Sequence, residues 1–249
     1  TARVRVLRDL GLIEDSIDML QSARDLADEL EDPRLFAIVH VELGHHAMLT
    51  GKLSDAAQEA RRARDMALSC DANAELTRAE ELLAAIALLS GDHDEALRHA
   101  RDAATRAERH GLKGVLISAL LILVQASPPE QRPEILAQAR TLSEEFANPF
   151  RDLDVALTSL RLGLGEPGLA GDDYVALQQL ANRAEPLLAQ RHLGLCQLAQ
   201  AQVLAPHDVR GALDHARLSE GLLRRLGAKL EADRASELVA QLVAIDRAR

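Results

Sequence analysis

Apolar residues in this chain recur three and four positions apart over long stretches, and Val and Ile are not arranged in the alternating runs that strands show. The rhythm predicts helices over residues 1–10, 12–31, 34–50, 53–70, 72–90, 93–110, 112–126, 131–147, 150–164, 172–190, 192–205, 208–227 and 229–248. Between Phe36 and Leu49 the pattern is apolar on most sides, as it must be for a helix enclosed by neighbours. From Leu230 to Ile245 there is instead one apolar stripe (Ala235, Leu238, Val239, Leu242, Val243) and one polar face (Glu231, Asp233, Arg234, Glu237, Gln241). That is the pattern of a capping helix with water on its outer side, expected over 229–248.

A longer period overlies the helical one. Gly11, Gly51, Gly91, Gly171 and Gly211 fall on a grid of 40 residues, with Gln131 in the missing place. Five residues after each stand Ser16, Ala56, Ala96, Leu136, Ala176 and Ala216, and four further on Leu20, Ala60, Ala100, Arg140, Leu180 and Glu220. The register is clean through three hairpins and then drifts: Ala96-Leu97-Arg98-His99-Ala100-Arg101 returns as Ala212-Leu213-Asp214-His215-Ala216-Arg217, an offset of 116. Gly44 and Ala84 are expected where the two helices of a hairpin cross, with Gly44→Ala costing little. Gly51 and Gly91 are expected in the turns between helices, where positive φ is cheap only for glycine. Ala56, Ala60, Ala96 and Ala100 are expected in the packed seam.

The clearest stretch reads Leu43-Gly44-x-x-Ala47-x-x-x-Gly51-x-x-x-x-Ala56-x-x-x-Ala60-x-x-Ala63. It resembles the tetratricopeptide repeat, whose first helix carries Leu-Gly-x-x-Tyr and whose second carries Ala-x-x-x-Phe-x-x-Ala, with Ala47 and Ala60 here at the aromatic positions. The family's usual unit is about 34 residues. The longer spacing, with the phrase from Ala23 to Pro33, resembles the helical arrays of bacterial signalling ATPases and transcriptional regulators, among them the maltose-regulator type. The resemblance implies an all-α fold, a right-handed superhelix of antiparallel helical hairpins, formed by residues 1–249 as one α-solenoid domain. Gly163–Gly171 reads as a hinge or a plain surface loop. Gly11 takes a mid-hairpin turn position, so Arg3–Leu10 is expected to be a first helix cut short and the natural chain to continue upstream.

Composition narrows the packing and the partners. There is no Trp, one Tyr and three Phe, so Ala and Leu fill the interior and helices can approach closely. A net charge of −10, spread along the chain, repels a phosphate backbone and excludes nucleic acid as a partner. Cys70 and Cys196 form no metal-binding pair and fit a reducing, cytoplasmic setting. No apolar run reaches a membrane span.

The search for chemistry is negative. No phosphate loop, nucleophile elbow or zinc motif occurs. His40, His45 and His46 have the wrong spacing for a shared metal, and His99 and His215 recur with the repeat, which marks them as structural. The reading is therefore a non-enzymatic module without cofactor or metal. The family pattern places Glu42, His45, Met48, Leu49, Arg78, Glu81, Leu88, Ser118, Ile122 and Gln125 on first helices lining a concave groove. A protein or peptide partner is expected there, within a larger bacterial signalling or transcriptional regulatory protein. The alternative is a small effector held in the groove of a ligand-sensing array.

Overall fold

The computed structural model describes residues 16–163 and 172–248, together with Arg3, Val4 and Leu7. Among them stand twelve α-helices and no strand: α1 (Ile17–Leu30), α2 (Pro33–Leu49), α3 (Leu53–Ser69), α4 (Asn73–Leu89), α5 (His93–Arg109), α6 (Lys113–Ala126), α7 (Arg132–Phe146), α8 (Pro149–Arg161), α9 (Asp173–Ala184), α10 (Gln190–Leu204), α11 (Val209–Arg225) and α12 (Lys229–Ala248). Of the helix expected over 1–10 only Arg3, Val4 and Leu7 are described, each of them helical. The helix expected over 172–190 stops at Ala184 and continues as a single 3₁₀ turn, Glu185–Leu187. Pro186 is the cause: it has no N–H to donate, and its ring obstructs the carbonyl one turn back.

The chain forms two compact units. Among the described residues, the first holds Arg3, Val4, 16–48 and 52–155, and the second holds Leu7, 49–51, 156–163 and 172–248. The division falls inside α8. Of the loop 163–171 only Gly163 is described, at φ +66°.

In the first unit the helices from α3 to α7 pack each on the next, and α4 also touches α6 directly. Small side chains make this possible. Ala56, Ala60, Ala63 and Ala67 of α3 and Ala96, Ala100, Ala103 and Ala107 of α5 all have zero exposure. Ala56 and Ala60 lie in one cluster with Ala47 of α2 and Leu82, Leu83 and Ile86 of α4. Burying a single methyl contributes little, but eight of them facing larger side chains remove two helix stripes from water.

Regular turns set the helix starts. α2 to α5 each have 17 residues and begin at 33, 53, 73 and 93. Between consecutive helices one residue sits in the left-handed region: Glu31, Gly51, Asp71, Gly91 and Gly111, at φ between 50° and 82°. These residues stand 20 apart, and glycine fills three of the five places. The cap after the turn is also local. The Asp92 carboxylate accepts from the Glu95 N–H at 3.1 Å, which satisfies one of the orphan donors of α5.

In α7 the pattern slips. Its buried residues are Leu136, Ala139 and Ser143, so Arg140, on the repeat grid, turns off the packed stripe. The Pro128-Pro129 segment before it ends α6 early, at Ala126.

The second unit repeats the design with its own register. Ala201, Val209, Ala212, Leu213, Ala216 and Leu242 form its core, joining α10, α11 and α12. The Ser219 hydroxyl donates to the Gly194 carbonyl at 2.8 Å, a contact that needs α10 and α11 close together. Gly211, despite its place on the grid, is not a turn residue. It lies in the first turn of α11, where its missing side chain leaves room for the Asp208 cap at 2.4 Å from where a Cβ would stand. The turn position belongs to Gly227, at φ +73°. On α12 Asp233, Arg234, Glu237 and Gln241 are exposed as the stripe requires. Glu231 departs from it: it is buried and accepts from Arg191 of α10, Nε to Oε1 at 3.1 Å.

Candidate functional site

The ten residues expected along the first helices are not equally accessible. Glu42 is 2% exposed, and Leu49 and Ile122 are also buried. His45, Met48, Arg78, Glu81, Leu88, Ser118 and Gln125 are half-buried. His45 on α2 and Glu81 on α4 are brought together, Nε2 to Oε2 at 3.8 Å. Met48 packs against the Ala47–Ile86 cluster. The Ser118 hydroxyl donates to the Gly114 carbonyl at 3.2 Å and the Gln125 amide to the Leu121 carbonyl at 3.0 Å, each within α6.

Three histidines are fixed between the two helices of a hairpin. His40 Nδ1 meets Glu59 Oε2 at 2.5 Å, His99 Nδ1 meets Glu80 Oε2 at 2.5 Å, and His215 Nδ1 meets Gln197 Oε1 at 2.6 Å. Arg98 Nη2 lies 2.7 Å from His99 Nε2. A guanidinium can only donate, so Nε2 of His99 accepts and its Nδ1 carries the hydrogen given to Glu80. Burial lowers the pKa of His215, with Asp214 opposing. Its Nε2 also meets the Tyr174 hydroxyl at 3.2 Å. Each ring spends both nitrogens, or the one facing inward, on holding helices together.

The cysteines differ. Cys196 is buried and burial pushes its thiol up to about 12, while Cys70 is half-buried, its Sγ donating to the Met66 carbonyl at 3.3 Å. Among the described residues no group of His, Cys, Asp or Glu is placed to hold a metal, and no helix is long and apolar enough to cross a membrane.

What sequence reasoning missed are two clefts on the side of the second helices. One lies over α4, walled by Ser54, Ala57 and Arg61 of α3 and by Glu95 and His99 of α5, with Leu83 and Ile86 as floor and a volume near 350 Å³. The second is larger, about 920 Å³, and lies over α6. Its floor is Leu116, Leu120 and Leu123. Its walls are Arg101, Ala104, Thr105 and Glu108 of α5 and Glu134, Ala137, Gln138 and Thr141 of α7. It opens where α7 slips from the repeat grid. Gln131 in place of the turn glycine, and Arg140 in place of alanine, were the visible signals of that slip.

Compared with known proteins, the chain matches no family model and no curated relative.

Proposed function

We propose that the chain is a protein- or peptide-binding helical array of the tetratricopeptide kind, a right-handed superhelix with hairpins of about 40 residues. It serves as an interaction module of a larger bacterial signalling or transcriptional regulatory protein. The observation that supports this reading is the cleft over α6. It is open to solvent, floored by leucines and rimmed by polar side chains, the form expected for a segment of another chain laid in a groove. A small-effector sensor calls for an enclosed cavity with converging polar groups.

The test is reciprocal capture. A protein recovered on the immobilised chain should recover the chain in turn, with saturable binding in a biosensor and local protection of amides in hydrogen exchange. Saturable thermal stabilisation by a metabolite, with no protein partner, would replace this reading by that of a ligand sensor.

A further inference from the structure

We infer that the cleft over α6 takes a short basic, leucine-bearing amphipathic peptide, on the face of the second helices rather than the first. The inference rests on the peptide-binding reading and adds the occupant.

The floor supplies the apolar half of the match. Leu116, Leu120 and Leu123 follow one another at i, i+4 and i+7, so they form one stripe along α6. At the helical rise this stripe is about 10 Å long, enough to receive two turns of a docked helix. Ala104 and Ala137, on opposite walls, keep the mouth wide, because neither side chain reaches across. Leu142 closes one wall with a further apolar surface.

The walls supply the polar half. Glu108 on α5 and Glu134 on α7 are both exposed and make no ion pair among the described residues. They stand on opposite walls of an apolar floor. Lys113, at the same cleft, is neutralised by Glu145 at 2.9 Å. Among the described residues Arg101 makes no ion pair either, and it marks a place for one acidic group. With the chain at −10 overall, the long-range field adds to the two wall carboxylates and draws a cationic partner. Lysine or arginine stems can lie over Ala104 and Ala137 with their charged ends at Glu108 and Glu134. An acidic segment would find one cation, Arg101, against the two carboxylates Glu108 and Glu134.

The experiment uses the whole chain and a labelled amphipathic peptide of about four helical turns, with a leucine stripe flanked by lysines. Fluorescence anisotropy reads its binding, and circular dichroism checks that each variant keeps its helix content. A second peptide replaces the lysines by glutamates. The lysine peptide should bind saturably and at least tenfold more tightly than the glutamate peptide. Ala137→Trp, which fills the mouth from an exposed position, should weaken it at least tenfold. So should Glu108→Lys with Glu134→Lys, while Gln58→Trp, exposed on α3 outside both clefts, should not. Binding that ignores charge, or that survives the cleft variants, overturns the inference and leaves the peptide-binding reading standing. Absence of binding by either peptide overturns the inference, while reciprocal capture decides the peptide-binding reading by itself. Self-association of the chain that is lost in Ala137→Trp would assign the cleft to a second copy and overturn the basic-peptide occupant.

Discussion

His99 on α5 and Glu80 on α4 meet at 2.5 Å, and forty residues earlier His40 on α2 and Glu59 on α3 make the same contact with the two residue types exchanged. The positions are equivalent in both hairpins: 40 corresponds to 80 and 59 to 99. The contact has been kept while its donor and acceptor have traded places. The hydrogen bond itself, rather than either residue, is therefore what the hairpin requires.

The exchange can be repeated by mutation. Glu80→Ala leaves the buried ring of His99 without its acceptor and should cost about 1–3 kcal/mol. His99→Glu alone sets two carboxylates against each other and should cost at least as much. The double variant Glu80→His with His99→Glu recreates the arrangement of the preceding hairpin and should recover more than half of the loss. Urea unfolding of the four proteins measures it. Additive losses in the double variant would show that the pair is not interchangeable.

A second expectation concerns Gly44. An added Cβ would stand 2.6 Å from Leu82 Cδ2 and 3.3 Å from the Ala56 carbonyl oxygen. Leu82 is fully buried and cannot swing clear. Gly44→Ala should therefore destabilise by about 1–3 kcal/mol through overpacking, against the small cost expected from helix propensity alone. Gly194→Ala, 2.8 Å from Leu223, should behave alike. The control is Gly221→Ala in α11, where the nearest atom is an Arg225 side-chain nitrogen at 3.6 Å. There propensity should prevail and stabilise by up to about 1 kcal/mol. Equal melting temperatures for all three variants would refute the crossing role.

The helix ends give a third. Glu31 and Leu188 hold left-handed conformations, at φ 50° and 54°, on exposed surface. A side chain there costs about 1–2 kcal/mol, partly offset by the greater freedom that glycine has when unfolded. Glu31→Gly and Leu188→Gly should each stabilise by about 0.5–1 kcal/mol. Gly91→Ala should lose about 1 kcal/mol, although nothing lies within 4 Å of its missing Cβ. A shift of opposite sign in the denaturation midpoint would count against the assigned turn geometry.

Thiol chemistry gives a fourth. Cys196 is buried with its pKa pushed up to about 12, so a thiol reagent at pH 8 should label Cys70 promptly and Cys196 only after denaturation. Cys70→Ser should abolish the fast phase. The linkage runs in one direction. The unfolded thiol ionises near its ordinary value of 9.0 while the folded one does not. The unfolded chain thus binds fewer protons, and stability contributed by this site falls as pH rises from about 9 towards 12. Cys196→Ala should flatten that fall.

Much of the fold could be read from the sequence, because helix periodicity and small-residue spacing are local signals. The helix starts from α3 to α7 fall within a residue or so of their expected places. The four alanines of α3 recur in α5 at the same zero exposure. What could not be read depends on contacts between distant segments. The tight fit at Gly44 is made by Leu82, a residue of the next hairpin. The left-handed residues Glu31, Asp71 and Leu188 carry no glycine to announce them. Gly211 shows the opposite failure, a glycine on the grid that serves a cap and not a turn. The candidate groove suffered most. Which side of a first helix is accessible is decided by its neighbours, and these bury Glu42, Leu49 and Ile122. The cleft over α6 arises from a break in the repeat, which a search for regularity passes over.

The traded pair also acts as a label on each hairpin. If α2 were joined to α5 in place of α3, His40 would face His99, and α4 joined to α3 would set Glu80 against Glu59. Either mismatch forfeits the His–Glu contact in a partly desolvated crossing: two carboxylates repel, and two imidazoles are left with at most a neutral N–H···N bond. Hairpins built from nearly interchangeable alanine stripes are thereby told apart, and domain-swapped exchange between copies of the chain is discouraged without any change in the shape of the seam.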